Sequence, residues 1–438
     1  MDQVSFLALR ALGYGTLAQV TWVYNRRVDL DGLRRFHWNL GYGLLGRRIE
    51  RSPLPFARDR WVLSRGPADI DIAETPRTRS AVNAWAYERA CLPVDPELGP
   101  GWHLGVLPIE DDGTAISLVA SHTLVDGLGL CQAIADAAKG KTLDLGYPSP
   151  GSRLRRRAVL QDGRQTLAST PEMARALGAM VRLARPGRQD LASSIAAAPP
   201  SPRRSRDEPP VAVPTLAAYV DLEQWDDCAK RLGGTSNSLF AAIAARLGVR
   251  AGRTLDDGSV TLAIPVGERT QGDTRGNALT FASIKVDPTN AVSDLTGMRS
   301  KLKQALVQLA SDGNEMLRVL PLAAVTPTWA ARRLVGVGLG SSELPIGCSN
   351  LGQLDPAANR PDGTDADYAY GRLIEPGITK DILERIGGQL FVASGRAPGK
   401  VFITVVAYRP GGTNSPAELR ALVSETLAEF RLSAEIDC

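Results

Sequence analysis

The sequence predicts an α/β protein of two related domains, and three observations carry that prediction. The chain has 438 residues, more than one hydrophobic core usually serves, so two domains of about 200 residues each are expected. Both halves mix short apolar runs of strand length with longer segments whose apolar residues recur at helical spacing. Between the halves, residues 186–214 (PGRQDLASSIAAAPPSPRRSRDEPPVAVP) gather proline and charge as a linker does. The expected organisation is therefore a first domain over 1–185, the linker, and a second domain over 215–438.

Taken in order, residues 17–30 (LAQVTWVYNRRVDL) read as a strand entering a turn. Asp31 then precedes a helical pattern, LRRFHWNLGYGLLG, which contains His37 as an ordinary helical histidine. Ser80 is placed to cap a helix through VNAWAYERACL. The Pro/Gly-rich stretch PVDPELGPGWHLGVLPI leads into a strand with His103 at its start, and a structural role is preferred for that histidine. AISLVAS (115–121) is short and apolar, as a buried strand is, and DGLGLCQAIADAAKG continues as a helix. SHTLVDG (121–127) is then a strand–loop–helix junction, a common location for ligands in α/β folds.

Two basic segments follow, RLRRR (153–157) and EMARALGAMVRLARPG (172–187). A basic amphipathic helix suits a membrane surface. A solvated face over a soluble core explains the pattern with less, and is preferred. In the second half, LAAYVDL (216–222), VTLAIPV (260–266) and VFITVVAY (401–408) read as strands. Thr235, Ser236 and Asn237 precede a buried helix, and Ser293 is expected to open a helix running to about Ser311. Ser415-Pro416-Ala417-Glu418 is a capping box with proline at the first helical position.

Composition excludes several classes. Lys and Arg number 51 against 47 acidic residues, a net charge of +4, so no nucleic-acid partner is expected. Aromatics at 5% argue against stacking platforms. Cys91, Cys131, Cys228, Cys348 and Cys438 form no C-x-x-C pair, which fits a reducing cytoplasm and no disulfide framework. The three histidines, His37, His103 and His122, lack metal-ligand spacing, so no metal is expected. The start, MDQVSFLALRAL, has no basic n-region, and no run of about 18 apolar residues occurs, so neither a signal peptide nor a membrane span is expected.

His122 is the candidate catalytic base. Acyl transfer requires an alcohol or amine to lose a proton as it attacks a carbonyl, and a neutral imidazole suits that at neutral pH. Asp126 either orients His122 as in a triad or turns its carboxylate to an arginine that braces the loop; the second role is preferred. Gly127 allows a tight turn. Cys348 beside Ser349 suggests a nucleophile, but no base lies near it in sequence.

SHTLVDG resembles the H-x-x-x-D-G motif of acyltransferases of the chloramphenicol-acetyltransferase-like fold, the superfamily that includes peptide-synthetase condensation domains. LPVDPELGPGWHLGVLP (92–108), TSNSLFAAIAARLG (235–248), IPVGERTQGDTRGNALT (264–280) and CSNLGQ (348–353) resemble segments of the wax ester synthase/diacylglycerol acyltransferases and polyketide-associated acyltransferases, in order. Three departures stand out. Ser121 replaces the usual second histidine, no Asp-Phe-Gly-Trp-Gly segment occurs, and the late motif lacks proline. The resemblance implies two chloramphenicol-acetyltransferase-like domains in a V with a tunnel between them and His122 midway. It implies an acyl-CoA or phosphopantetheine thioester as co-substrate, no bound cofactor and no covalent acyl-enzyme. Asp126 would be structural, with Arg269 as its partner. Ser349 and Asn350 would face His122 and, with Ser121, contact substrate or the oxyanion. The acceptor would be a small molecule or lipid. An acyl carrier protein and peripheral membrane contact are compatible with it, and a monomer suffices. Two rival readings are a free-standing carrier-dependent condensation enzyme and a silent docking module of the same fold.

Overall fold

The computed structural model describes residues 2–183, 208–270, 272–312, 315–332 and 344–436. Most of the expected linker therefore lies outside the described residues. The strands in chain order are β1 (Leu17–Tyr24), β2 (Arg47–Glu50), β3 (Arg60–Leu63), β4 (Asp71–Ile72), β5 (Trp102–Pro108), β6 (Thr114–Ser121) and β7 (Thr215–Asp221). They continue with β8 (Val260–Gly267), β9 (Leu279–Val286), β10 (Ile346–Gln353), β11 (Tyr368–Ile374), β12 (Gln389–Ala397), β13 (Lys400–Tyr408) and β14 (Ala434–Ile436).

Two mixed sheets organise the chain. The first has five strands in the order β11-β1-β6-β5-β4, and the second has seven in the order β14-β7-β13-β12-β10-β8-β9. β2 and β3 pair separately. β6 explains its own sequence: all of its residues are buried, so TAISLVAS carries small and apolar side chains on both faces. On one face Trp22, Leu104, Leu118 and Ala120 pack against Leu33 and Phe36 of the helix Leu30–Leu40 and Leu130 and Ile134 of the helix Gly127–Ala138. On the other, Val23, Leu107 and Ala115 meet Val82, Trp85 and Ala86 of the helix Val82–Ala90. The second sheet buries Leu262, Ile346, Val392 and Ile403 against the helices Ser236–Arg250 and Pro416–Glu429.

The halves are interleaved. β11 leaves the second half, pairs antiparallel with β1, and the chain then returns to β12. Thus residues 215–438 furnish an edge strand of the first sheet as well as the whole second sheet. Gln19 of β1 locks this junction: its amide donates to Ala86 O and Ser117 Oγ at 2.7 Å each, and its carbonyl accepts from Arg372 Nε of β11 at 2.7 Å. Burial lowers the pKa of Arg372, against the opposing pull of Tyr370, Tyr87 and Cys91. Trp22 Nε1 donates to Ala358 O at 2.9 Å, tying the segment before β11 to the first core.

Three expected helix starts or caps are corrected. Asp29 caps the helix Leu30–Leu40 by accepting from Asp31 N, so the helix begins before Asp31 and ends at Leu40, and a 3-10 turn follows. Ser80 sits within a 3-10 turn, Arg79–Ala81, and the helix Val82–Ala90 starts without a side-chain cap. Ser293 donates to Asn290 O in a turn, and the helix starts at Thr296, after Asp294 has bonded Thr296 N. The Thr235 and Ser415 boxes form in full, the first closed by Ser238 and the second by Glu418. No described helix is long and apolar enough to cross a membrane.

Trp22 is fully buried, so Trp22→Ala should destabilise by about 3–5 kcal/mol through the cavity it leaves. Trp22→Phe should cost only about 1–3 kcal/mol, the penalty for leaving Ala358 O unpaired. Urea midpoints of the three proteins measure both; equal midpoints for Phe and wild type would remove the hydrogen bond from the account.

Candidate active site

The site lies where the C-terminal end of β6 meets the loop between β8 and β9. His122 follows β6 directly. Its N–H donates to Thr16 O at 3.1 Å and its carbonyl accepts from Asn277 Nδ2 at 3.0 Å. The backbone is therefore held from both halves. The imidazole is half-buried and lines a cavity of about 330 Å³. Burial pushes its pKa below the ordinary imidazole value, against the opposing pull of Asp126, its own carbonyl and Asn277. The ring is accordingly neutral at pH 7, the form that accepts a proton.

Asp126 is the N-cap of the helix Gly127–Ala138, and one carboxylate oxygen accepts from Gly129 N at 2.7 Å. The other accepts from Arg269 Nη2 at 2.8 Å and Ala278 N at 2.7 Å. Asp126 N donates to Gly276 O at 2.8 Å. Both carboxylate oxygens are thus committed to bracing the loop. Arg269 also reaches the carbonyls of Asp273 and Gly276, at 3.1 and 3.0 Å.

The glycines here provide space. Gly127 does not adopt positive φ, and a Cβ on it would lie 3.1 Å from Leu351 Cδ2. A Cβ on Gly129 would lie 2.8 Å from Arg269 Nη2. The second glycine of DGLG therefore admits the arginine.

Ser349 and Asn350, on β10, line the same cavity as His122. Ser349 Oγ makes no hydrogen bond among the described residues. Asn350 Nδ2 donates to Asn237 Oδ1, and its Oδ1 accepts from Gly352 N at 2.9 Å. Ser121 is placed differently: it is buried, its Oγ accepts from Thr123 N at 3.3 Å, and it does not line the cavity. The alternation along β6 and the turn after it send that hydroxyl back into the loop. Cys348 packs into the second core, and burial pushes its thiol up to about 12, so it is no nucleophile. His37 and His103 are buried away from the cavity; burial drives His103 down to about 4.

A larger cavity of about 900 Å³ adjoins the first and shares Leu128, Cys131 and Leu351 with it. Its wall is more polar, with Gln132, Asp136, Lys141, Gln353 and Asp355. Among the described residues, no group of three or more His, Cys, Asp and Glu could hold a metal ion.

Two residues escaped sequence reasoning. Asn277 holds His122 O, and the Gly-Asn pair in the 264–280 segment was its visible trace. Asp2, in the helix Asp2–Leu12, accepts from Gly276 N at 2.9 Å and Asn277 N at 2.7 Å. Nothing local signals a contact across 275 residues.

No family model matches the sequence, and no curated protein matches it either. Solved structures do. The first condensation domain of the calcium-dependent antibiotic synthetase, in complex with a substrate analogue, aligns at TM-score 0.58 and 12% identity over 98% of this chain and 95% of that one. Trichothecene 15-O-acetyltransferase of Fusarium sporotrichioides aligns at 0.54 and 11% identity over 98% and 93%. Polyketide synthase associated protein 5 of Mycobacterium tuberculosis aligns at 0.54 and 14% over 97% and 96%. The described residues share the fold of these condensation domains and of the acetyltransferase.

Arg269→Ala should leave Asp126 as a buried carboxylate without its counter-ion, destabilising by about 3–5 kcal/mol. Asp126→Asn in the same background should recover part of that loss, because the charge is then gone. Chemical denaturation of the single and double variants checks this; additive losses would show that the two side chains act independently.

Proposed function

We propose that this protein transfers an acyl group from a thioester to a hydroxyl or amine acceptor, with His122 as general base. The observation that carries this reading is a half-buried imidazole on a cavity whose wall comes from both sheets. The acceptor O–H or N–H gives its proton to the imidazole as its oxygen or nitrogen bonds to the thioester carbonyl carbon. The carbonyl becomes an oxyanion, for which Ser349 Oγ and the Asn350 amide are the candidate donors. Collapse of that intermediate breaks the C–S bond, and the departing thiolate takes the proton from His122. The acyl group passes directly between substrates, and Asp126 with Arg269 holds the base in place without sharing its proton.

The donor is an acyl-CoA or an acyl group on the phosphopantetheine of a carrier protein. The second reading, carrier-dependent condensation, is favoured by the likeness to synthetase condensation domains.

The test is thiol release from short- to long-chain acyl-CoAs with alcohol and amine acceptors, repeated with acyl carrier proteins. His122→Ala should lose about 10²-fold or more of the acceptor-dependent rate, and Ser349→Ala a comparable or smaller part. Undiminished turnover in His122→Ala would overturn the assignment. The pH profile gives an independent check. Activity requires the neutral ring, so kcat/KM should fall with acid, and the fall should begin below the ordinary imidazole value because burial lowers the pKa. A fall centred at or above pH ~6.5 would contradict a desolvated base.

A further inference from the structure

We infer that the two consecutive helices Arg155–Ala168 and Thr170–Leu183 form a docking surface for an anionic lipid bilayer. The first helix turns a small and an acidic side chain inward and leaves its leucines outside. Its inward side carries Ala158 and Asp162, both buried, and Asp162 is held by Ser52 Oγ at 2.6 Å and by Arg153. Its leucines point to solvent: Leu160 is 63% exposed and Leu167 74%. These two lie seven residues apart on one stripe, with Arg156 and Arg164 between and beside them at four-residue steps. Leu154, at the N-cap, is 64% exposed. The second helix repeats the pattern, burying Ala176 and Ala179 while Leu177 is 54% exposed.

A solvated face would show the opposite arrangement, with the leucines inward. Charge points the same way. Over residues 153–180 the only acids are Asp162 and Glu172, and these pair with Arg153 and Arg58. Arg155, Arg156, Arg157, Arg164 and Arg175 are exposed and form no ion pair among the described residues. Leucines with arginines alternating between them match the boundary between lipid headgroups and acyl chains. A bilayer accepts such a stripe without a shaped groove. A carrier protein would have to match the leucines with pockets of its own, so the bilayer is the occupant argued for.

The experiment is co-sedimentation of the full chain with vesicles of phosphatidylcholine alone and of phosphatidylcholine with phosphatidylglycerol. Binding is expected to the anionic vesicles only and to weaken with salt. The pair Leu160→Ser and Leu167→Ser, and separately the pair Arg156→Gln and Arg164→Gln, should each weaken it by roughly tenfold or more. All four side chains are exposed, so circular dichroism and thermal unfolding should match wild type. The inference is overturned if the full chain sediments with neither vesicle, if either variant pair binds as wild type does, or if the surface instead captures an acidic carrier protein in the absence of lipid. The readout does not depend on turnover, so it stands apart from the acyl-transfer assignment.

Discussion

The ion pair between Asp126 and Arg269 is the constraint on which the site depends. The two side chains are 4% and 10% exposed, so each charge has given up most of its water. The desolvation penalty is several kcal/mol per ion. The geometry offsets it: the carboxylate accepts from two backbone N–H groups and a guanidinium, and the guanidinium also donates to two backbone carbonyls. The carboxylate thereby sets the start of one helix, the course of the loop after β8 and the junction of the two halves at one point. His122, four residues earlier, is held through its carbonyl by the Asn277 amide of that same loop and through its N–H by Thr16 O.

Around the pair lies a second set of ties. Asp2 grips the N–H groups of Gly276 and Asn277, and Asn277 grips the His122 carbonyl. Arg47, fully buried beside Trp61 and Tyr147, donates to Leu124 O at 2.8 Å and Thr274 O at 2.6 Å. Each tie joins a residue of the first half to the 269–278 loop or to its partner across the cavity. A functional side chain is held within narrow tolerances of distance and angle by the groups that support it. Here that tolerance is set by charged and amide groups from several distant parts of the chain.

Much of this was legible in the sequence where the signal is local. β6 is an apolar run bounded by a loop, Ser415-Pro416-Ala417-Glu418 is a capping box, and both formed as their residue types require. β9 is equally legible: LTFASIKV alternates buried and exposed along most of its length. What could not be read depends on partners far away in sequence. Gly127 looks like a turn residue until Leu351 is seen against it. Ser121 sits beside the histidine in sequence, yet strand alternation and the turn direct its hydroxyl elsewhere. β11 has no local mark that it belongs to the first sheet, since its pairing with β1 is a choice of neighbour and not of pattern.

That choice makes each half an incomplete object. Without β11, β1 would present a row of unpaired backbone groups along an open edge, the kind of edge that recruits foreign strands. The fold therefore resembles a clasp more than two beads on a string. A backbone cut between β6 and β7 would not release two proteins. It would leave two complementary fragments, each still engaged with the other through β1, β11 and the loop at Arg269, and the first fragment made alone would be prone to self-association until its counterpart supplied the missing strand.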